Sequence, residues 1–275
     1  MTLESTFFEV VRHDAVAELR MNRPEKANGM SPDFWADLPR LVGELDDDTT
    51  LRAIVLTGAG RNFSGGLDLA SFQGIMTEFQ REPGRAAHAF YRRLLRMQDA
   101  LTCLEETRLP VIAAIQGACV GGGIDLVSAC DVRLASRNAW FAIEEINIGM
   151  AADVGTLQRL PKLIAPGIAA ELALTGRRFS PEESLGWGFV NAIHEDAEAV
   201  RHAALEMAAT IASKSPLAIA GIKRSMVYVR DHSVADGLDQ IATWNAGMLR
   251  PEDLMRAMQA RMAKSEAKFA DLLAS

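Results

Sequence analysis

Residues Val111–Gln158 read VIAAIQGACVGGGIDLVSACDVRLASRNAWFAIEEINIGMAADVGTLQ. The apolar, β-branched run Val111–Ile115 has the pattern of a buried strand. Glycines at 117, 121, 122 and 123 follow it and lead directly into helix-like sequence, Ile124–Cys130. Glycine lets the backbone approach a bound group closely, and the first N–H groups of a helix have no intrahelical partner. The turn therefore suits an anion or a developing oxyanion.

The polar groups beyond that turn are acids. Asp125 lies just inside the helix, Glu145 follows the strand-like Ala139–Ile143, and Asp153 sits in Gly149-Met150-Ala151-Ala152-Asp153. No Lys, Arg or His falls between Asp125 and Asp131, or between Asn138 and Leu157, so local ion pairing does not account for them. Carboxyls among apolar residues have raised pKa values, which suits proton transfer near neutral pH. Helix capping is the competing explanation, with Asp153 before Val154-Gly155-Thr156 as a candidate N-cap.

Upstream, Phe7–Arg12 and Ala15–Asn22 read as two strands joined at His13-Asp14. Ala17, Leu19 and Met21 alternate with Glu18 and Arg20, which predicts one buried and one wet face. Ser31-Pro32 opens a helix whose Phe34, Leu38, Leu41 and Leu45 recur at helical spacing, with Pro39 inside it. Ala53–Thr57 is a short buried strand, followed by a first glycine-rich loop from Gly58 to Gly66. That loop lacks the Gly-Lys-Ser/Thr ending of a P-loop, and neither glycine loop supplies a dinucleotide GxGxxG after a strand. Residues 72–85 are expected to be irregular and mobile. A long helix is predicted from Phe90 until Pro110 stops it.

Downstream, the pattern predicts helix over Pro161–Thr175 and Pro181–Trp187, a last strand at Phe189–Ile193, and about four helices to the end. One of those begins at Ser233 with Asp236 three residues on, as in a capping box, and carries Val234, Leu238, Ile241 and Met248 on an apolar side. Strand–helix units followed by helices alone give an α/β core, 1–195, and a helical C-terminal region, 196–275.

The 275 residues suffice for a substantial core, and 49% hydrophobic with 24% charged residues is the balance of a soluble globular protein. A formal charge of −7 argues against a nucleic-acid partner. Cys103, Cys119 and Cys130 sit in apolar surroundings without metal-like spacing and read as free thiols in a reducing, cytoplasmic compartment. The five histidines show no ligand spacing, so no metal is expected. No apolar run approaches the roughly 20 residues of a membrane span, and MTLESTFFEVV does not read as a targeting segment.

The phrases GGGIDLVSACDVR (121–133), EEINIGMAADVGTLQRLPK (144–162), SKSPLAIAGIK (213–223) and RDHSVADGLDQIATWNAGML (230–249) resemble the enoyl-CoA hydratase/isomerase (crotonase) superfamily. NRPEKANGM (22–30) and RNFSGGLDL (61–69) add to the likeness, which spans nearly the whole chain and is close to the Δ3,5-Δ2,4-dienoyl-CoA isomerases within that superfamily. The resemblance implies a ββα spiral core with a helical C-terminal trimerisation region, in a homotrimer or a hexamer of two trimers. It implies an acyl-CoA thioester substrate, with coenzyme A part of that substrate and no separate cofactor.

The resemblance further places an oxyanion hole at the backbone N–H groups of Leu67 and Gly122, with Gly66 and Gly121 beside them against the substrate. Glu145 would take a proton from C2 of a 3,5-dienoyl thioester and Asp153 would deliver one to C6, in fatty-acid β-oxidation. Asp125 is carried over as a third active-site acid. Arg23 and Lys26 are candidates for the nucleotide phosphates. The hydratases resemble this chain but carry glutamate at both 125 and 145 and a small residue at 153, so the acids here favour isomerisation. The alternatives are a 2-enoyl-CoA hydratase and a non-catalytic acyl-CoA- or RNA-binding protein of the same fold.

Overall fold

The computed structural model describes residues 4–68 and 82–274. Strands β1 (Phe8–His13), β2 (Val16–Met21), β3 (Ala53–Gly58), β4 (Val111–Ile115), β6 (Val132–Ser136) and β8 (Ala192–His194) form one sheet in that spatial order. Only the β1–β2 pair is antiparallel. β5 (Ala118–Val120) and β7 (Trp140–Ala142) make a second, parallel two-stranded sheet.

The sheet is apolar on both faces because side chains alternate along each strand. Ala17, Leu19, Ile54, Leu56, Val111, Ala113 and Ile115 join the large core beneath the helices Pro32–Asp47 and Pro83–Glu106. Val16, Ala53, Val55, Ile112, Ala114 and Leu134 point the other way, onto Val200, Ala204, Ala208 and Ala212 of the helix Ala197–Ala212. That helix, from beyond residue 195, is therefore part of the packing around the sheet.

Its position overturns one expectation. The alternation puts Glu18 on a wet face, yet it is fully buried, because the helix covers that face and brings Arg201 to meet it. Pro39 is tolerated inside Pro32–Asp47, and Phe34, Leu38, Leu41 and Leu45 are buried as their spacing predicts.

The long helix begins at Pro83, a residue suited to a first helical turn, so residues 83–85 are helical and not irregular. The remainder of the 72–85 prediction lies outside the described residues. The predicted helix Pro161–Thr175 is interrupted: Pro161 lies in a 3₁₀ turn, Leu160–Lys162, and a separate helix starts at Pro166 and runs to Thr175. A short helix that the pattern does not predict, Thr156–Arg159, precedes the turn. The last strand starts later than expected. Phe189 and Val190 instead close the helix Pro181–Gly186 by donating their N–H groups to Ser184 O. Four helices follow, Ala197–Ala212, Pro216–Tyr228, Val234–Met248 and Pro251–Ala263, and Ser233 with Asp236 makes the expected capping box.

Candidate active site

Two glycine loops are brought together by a short ladder of backbone bonds. Ser64 N donates to Ala118 O at 2.9 Å, and Val120 N donates back to Ser64 O at 3.1 Å. Asn28 holds the first loop from below. Its buried side chain donates to Ala59 O, Asn62 O and Phe63 O, and accepts from Arg23 N. Gly66 has φ +81°, and a Cβ there would stand 2.7 Å from Val120 O, so both backbone conformation and space require glycine.

The result is a pair of adjacent amides. Met30 N donates to Gly66 O and Asp68 N to Met30 O, which leaves the Leu67 N–H between them unused by the ladder. Gly122 opens the helix Gly122–Ser128, so its N–H has no intrahelical acceptor. A Cβ built on Gly66 would lie 3.3 Å from Gly122 N, and one on Gly122 would lie 3.7 Å from Leu67 N. Two free donors thus stand side by side at one spot.

That spot opens into a cavity of about 200 Å³. Trp35, Phe90, Leu94, Met97, Ile148 and Met150 supply its apolar wall. Its polar lining, besides Glu144, is the three acids singled out from sequence: Asp125, Glu145 and Asp153. Burial pushes Glu145 up to about 7, and the charges of Asp125 and Asp153 push the same way. Its Oε2 is buried without a hydrogen-bond partner. Burial likewise raises Asp125 to about 6 against the bond it accepts from Thr156, and burial raises Asp153. Each acid thus holds a proton more readily than in water.

Three contacts fix the turn that carries Asp153. Gln98 Nε2 donates to Asp153 O at 2.7 Å from the long helix. Thr156 N donates to Asp125 Oδ1 at 2.5 Å. Arg159, itself bound to Glu105 and Thr102, lies over Gly155 so closely that a Cβ there would collide with its guanidinium. The capping alternative is settled by these bonds. Gly155 is the N-cap of Thr156–Arg159, and the oxygen that satisfies its first N–H comes from Asp125 on another helix. Asp153 does not cap.

Residues 12–271 match the enoyl-CoA hydratase/isomerase family. The chain belongs to that family.

Among enoyl-CoA hydratase/isomerase relatives, the peroxisomal Δ3,5-Δ2,4-dienoyl-CoA isomerase of Arabidopsis thaliana is 41% identical over 278 residues. The alignment covers 99% of this chain and all of that one. The mitochondrial Δ3,5-Δ2,4-dienoyl-CoA isomerase of Rattus norvegicus is 42% identical over 92% of this chain and 78% of its own. A short-chain-enoyl-CoA hydratase of Clostridium acetobutylicum is 32% identical over 80% of this chain and 79% of its own. The crystal structure of an enoyl-CoA hydratase from Bacillus anthracis superposes with a TM-score of 0.87 at 28% identity. It covers 96% of this chain and 99% of that one.

Within this family member, Leu67, Gly122, Gly66, Gly121, Asp125, Glu145 and Asp153 all line one cavity, whereas Arg23 and Lys26 do not. Arg23 donates to Asp68 Oδ2 at 2.7 Å, and Lys26 is exposed in the 3₁₀ turn Pro24–Lys26. Both sit on the segment strapped against Gly65 to Asp68 through Gly65 N to Ala27 O and Met30 N to Gly66 O. Sequence reasoning missed Gln98 and Asn28. Neither carries a local signal, because what each does depends on a contact many residues away in the chain. Among the described residues no helix is long and apolar enough to cross a membrane.

Proposed function

We propose that this protein is a Δ3,5-Δ2,4-dienoyl-CoA isomerase, moving a proton from C2 to C6 of a 3,5-dienoyl thioester in fatty-acid β-oxidation. One observation carries the reading: Glu145 and Asp153, both with raised pKa values, line a single apolar cavity beside two free backbone N–H groups. Two proton sites several bonds apart need two separate groups in reach of one substrate. The Leu67 and Gly122 N–H groups would hold the thioester oxygen and stabilise the enolate formed when C2 loses its proton. Donors of this kind contribute on the order of 10²–10³ in rate.

The cavity suits the acyl end of the substrate, with the nucleotide outside it. Arg23 and Lys26, on the segment next to the first glycine loop, are proposed to meet the phosphates. Coenzyme A enters as part of the substrate, and no separate cofactor is required by this chemistry. A homotrimer or a hexamer of two trimers is supported by the apolar side chains left exposed on the last two helices, among them Val234, Leu238, Met255, Met258 and Met262. A cytoplasmic location is supported by the three free cysteines.

The test is a panel of 3,5-dienoyl, 2-enoyl and 3-enoyl thioesters assayed side by side. Conjugated 2,4-dienoyl absorbance from the first of these is the expected result. Hydration of the 2-enoyl ester without it would replace the reading by a hydratase. In Asp153→Asn, diene isomerisation should fall by about 10²–10⁴ while thioester binding is retained. Normal turnover would remove Asp153 from the mechanism.

A further inference from the structure

The proposed reaction does not return its acids to their starting state. Glu145 removes H⁺ from C2, and the C2–H electron pair becomes the C2=C3 bond. The C3=C4 pair moves to C4=C5, and the C5=C6 pair takes the Asp153 proton at C6. One turnover therefore leaves Glu145 protonated and Asp153 ionised, the reverse of what the next substrate needs.

Asp125 stands on the helix whose N-cap faces Glu145 and is bonded to the turn that follows Asp153. Glu145 Oε1 stands 3.3 Å from the place a Cβ on Gly121 would occupy, directly over the N-cap of the helix Gly122–Ser128. Asp125 is one turn further along that helix, and helical side chains lean toward the N-terminus, so its carboxyl leans toward Glu145. On its other side, Oδ1 accepts from Thr156 N, three residues past Asp153. Asp125 is 1% exposed, and the free Oε2 of Glu145 is also buried. Both are shielded from bulk water, and the charges of Asp125 and Asp153 reach Glu145 while that of Asp153 reaches Asp125. The mechanism assigns Asp125 no contact with a reacting carbon.

We propose that Asp125 resets the site: it accepts the proton that Glu145 took from C2 and passes it to Asp153, inside the cavity. This rests on the isomerase reading. The transfer balances, since one proton leaves Glu145, one arrives at Asp153, and Asp125 ends as it began, ionised. The values of about 7 for Glu145 and about 6 for Asp125 make the exchange a small uphill or downhill step in either direction.

The experiment uses a 3,5-dienoyl thioester deuterated at C2, in ordinary water, with rapid-quench and steady-state measurements on the full-length enzyme. In the wild type, part of the deuterium taken from one substrate molecule should appear at C6 of product from a later turnover. Asp125→Asn keeps an oxygen for the Thr156 N–H, and an unchanged melting temperature checks its fold. It should show a burst of about one product per site, then a steady rate lower by roughly 10², with no deuterium at C6. Asp125→Glu, which keeps a carboxyl, should restore part of the label transfer.

If the wild type isomerises but carries no label to C6, and Asp125→Asn shows equal first and later turnovers, the reset role is overturned while the isomerase reading stands. If the wild type makes no 2,4-diene, the isomerase reading itself fails.

Discussion

Glu18 and Asp125 are buried to the same degree, yet their protonation is driven in opposite directions. Glu18 is fully buried and burial pushes its pKa up. Bonds from Arg201, His13 and Arg20 outweigh that and bring it down to about 2. Arg201 alone makes two bonds to it, at 2.7 and 2.8 Å, and Thr57 Oγ1 adds another at 3.0 Å. Asp125 is 1% exposed, and burial, helped by the charge of Asp153, raises it to about 6 against the bond from Thr156 and the charge of Arg159. Desolvation is common to both places. Direct bonds from cations decide the sign: Arg201 and Arg20 bond Glu18, whereas Asp125 accepts from the backbone N–H of Thr156 and Arg159 acts on it only through its charge.

The largest effect that would break this contrast is on the rate. Glu145→Gln removes the base and should lower isomerisation by about 10²–10⁴. The wild type should gain kcat/KM as pH rises through about 7, the point at which Glu145 ionises. An alkaline limb alone, with no rise near neutrality, would take the base role from Glu145.

Next in size is Glu18→Gln, which leaves Arg201 and Arg20 facing an uncharged amide. Lowering a carboxyl from 4.5 to about 2 corresponds to about 3 kcal/mol of stability. The folded state holds the lower pKa, so this contribution is present above about 4.5 and is lost as pH falls toward 2. Urea unfolding should show the variant weaker by that order at pH 7, with the difference shrinking at pH 3. A pH-independent difference would mean that shape, not charge, is what Glu18 contributes.

The contrast also marks how far the sequence could be read. The alternation of Ala17, Leu19 and Met21 marks the strand face that joins the large core, and the unbroken Val111–Ile115 run marks a strand buried on both sides. The Glu18 face, by contrast, reads as wet in sequence and is covered in the fold. The two glycine loops and the three acids are legible because glycine and isolated carboxylates are anomalies within their own neighbourhoods, and all of them meet at one cavity. Glu18 was misread because its partner, Arg201, is remote in sequence and nothing near Glu18 announces a helix lying over it. Gln98 and Asn28 escaped for the same reason. Trp35, Leu94 and Met97 are indistinguishable in sequence from the core positions that flank them, so their share in the cavity wall follows only from how Pro32–Asp47 and Pro83–Glu106 approach the loops.

The smallest effect is the most discriminating, since it asks whether the cavity acids work against the fold. Glu145 binds a proton more tightly folded than unfolded, so between about 4.5 and 7 the native state holds the extra proton. Stability therefore increases as pH falls through that window, and above it the ionised carboxylate is a burden on the native state. Glu145→Gln should unfold at a higher temperature than the wild type at pH 8, by about 2–4 °C for each kcal/mol recovered. At pH 4, where the wild-type carboxyl is protonated in both states, the two melting curves should coincide. This is the reverse of Glu18→Gln, which weakens the protein most where its carboxyl is charged. A Glu145→Gln protein less stable at pH 8 would show that the carboxylate has a stabilising partner in the cavity, and the division between the two sides of the sheet would have to be redrawn.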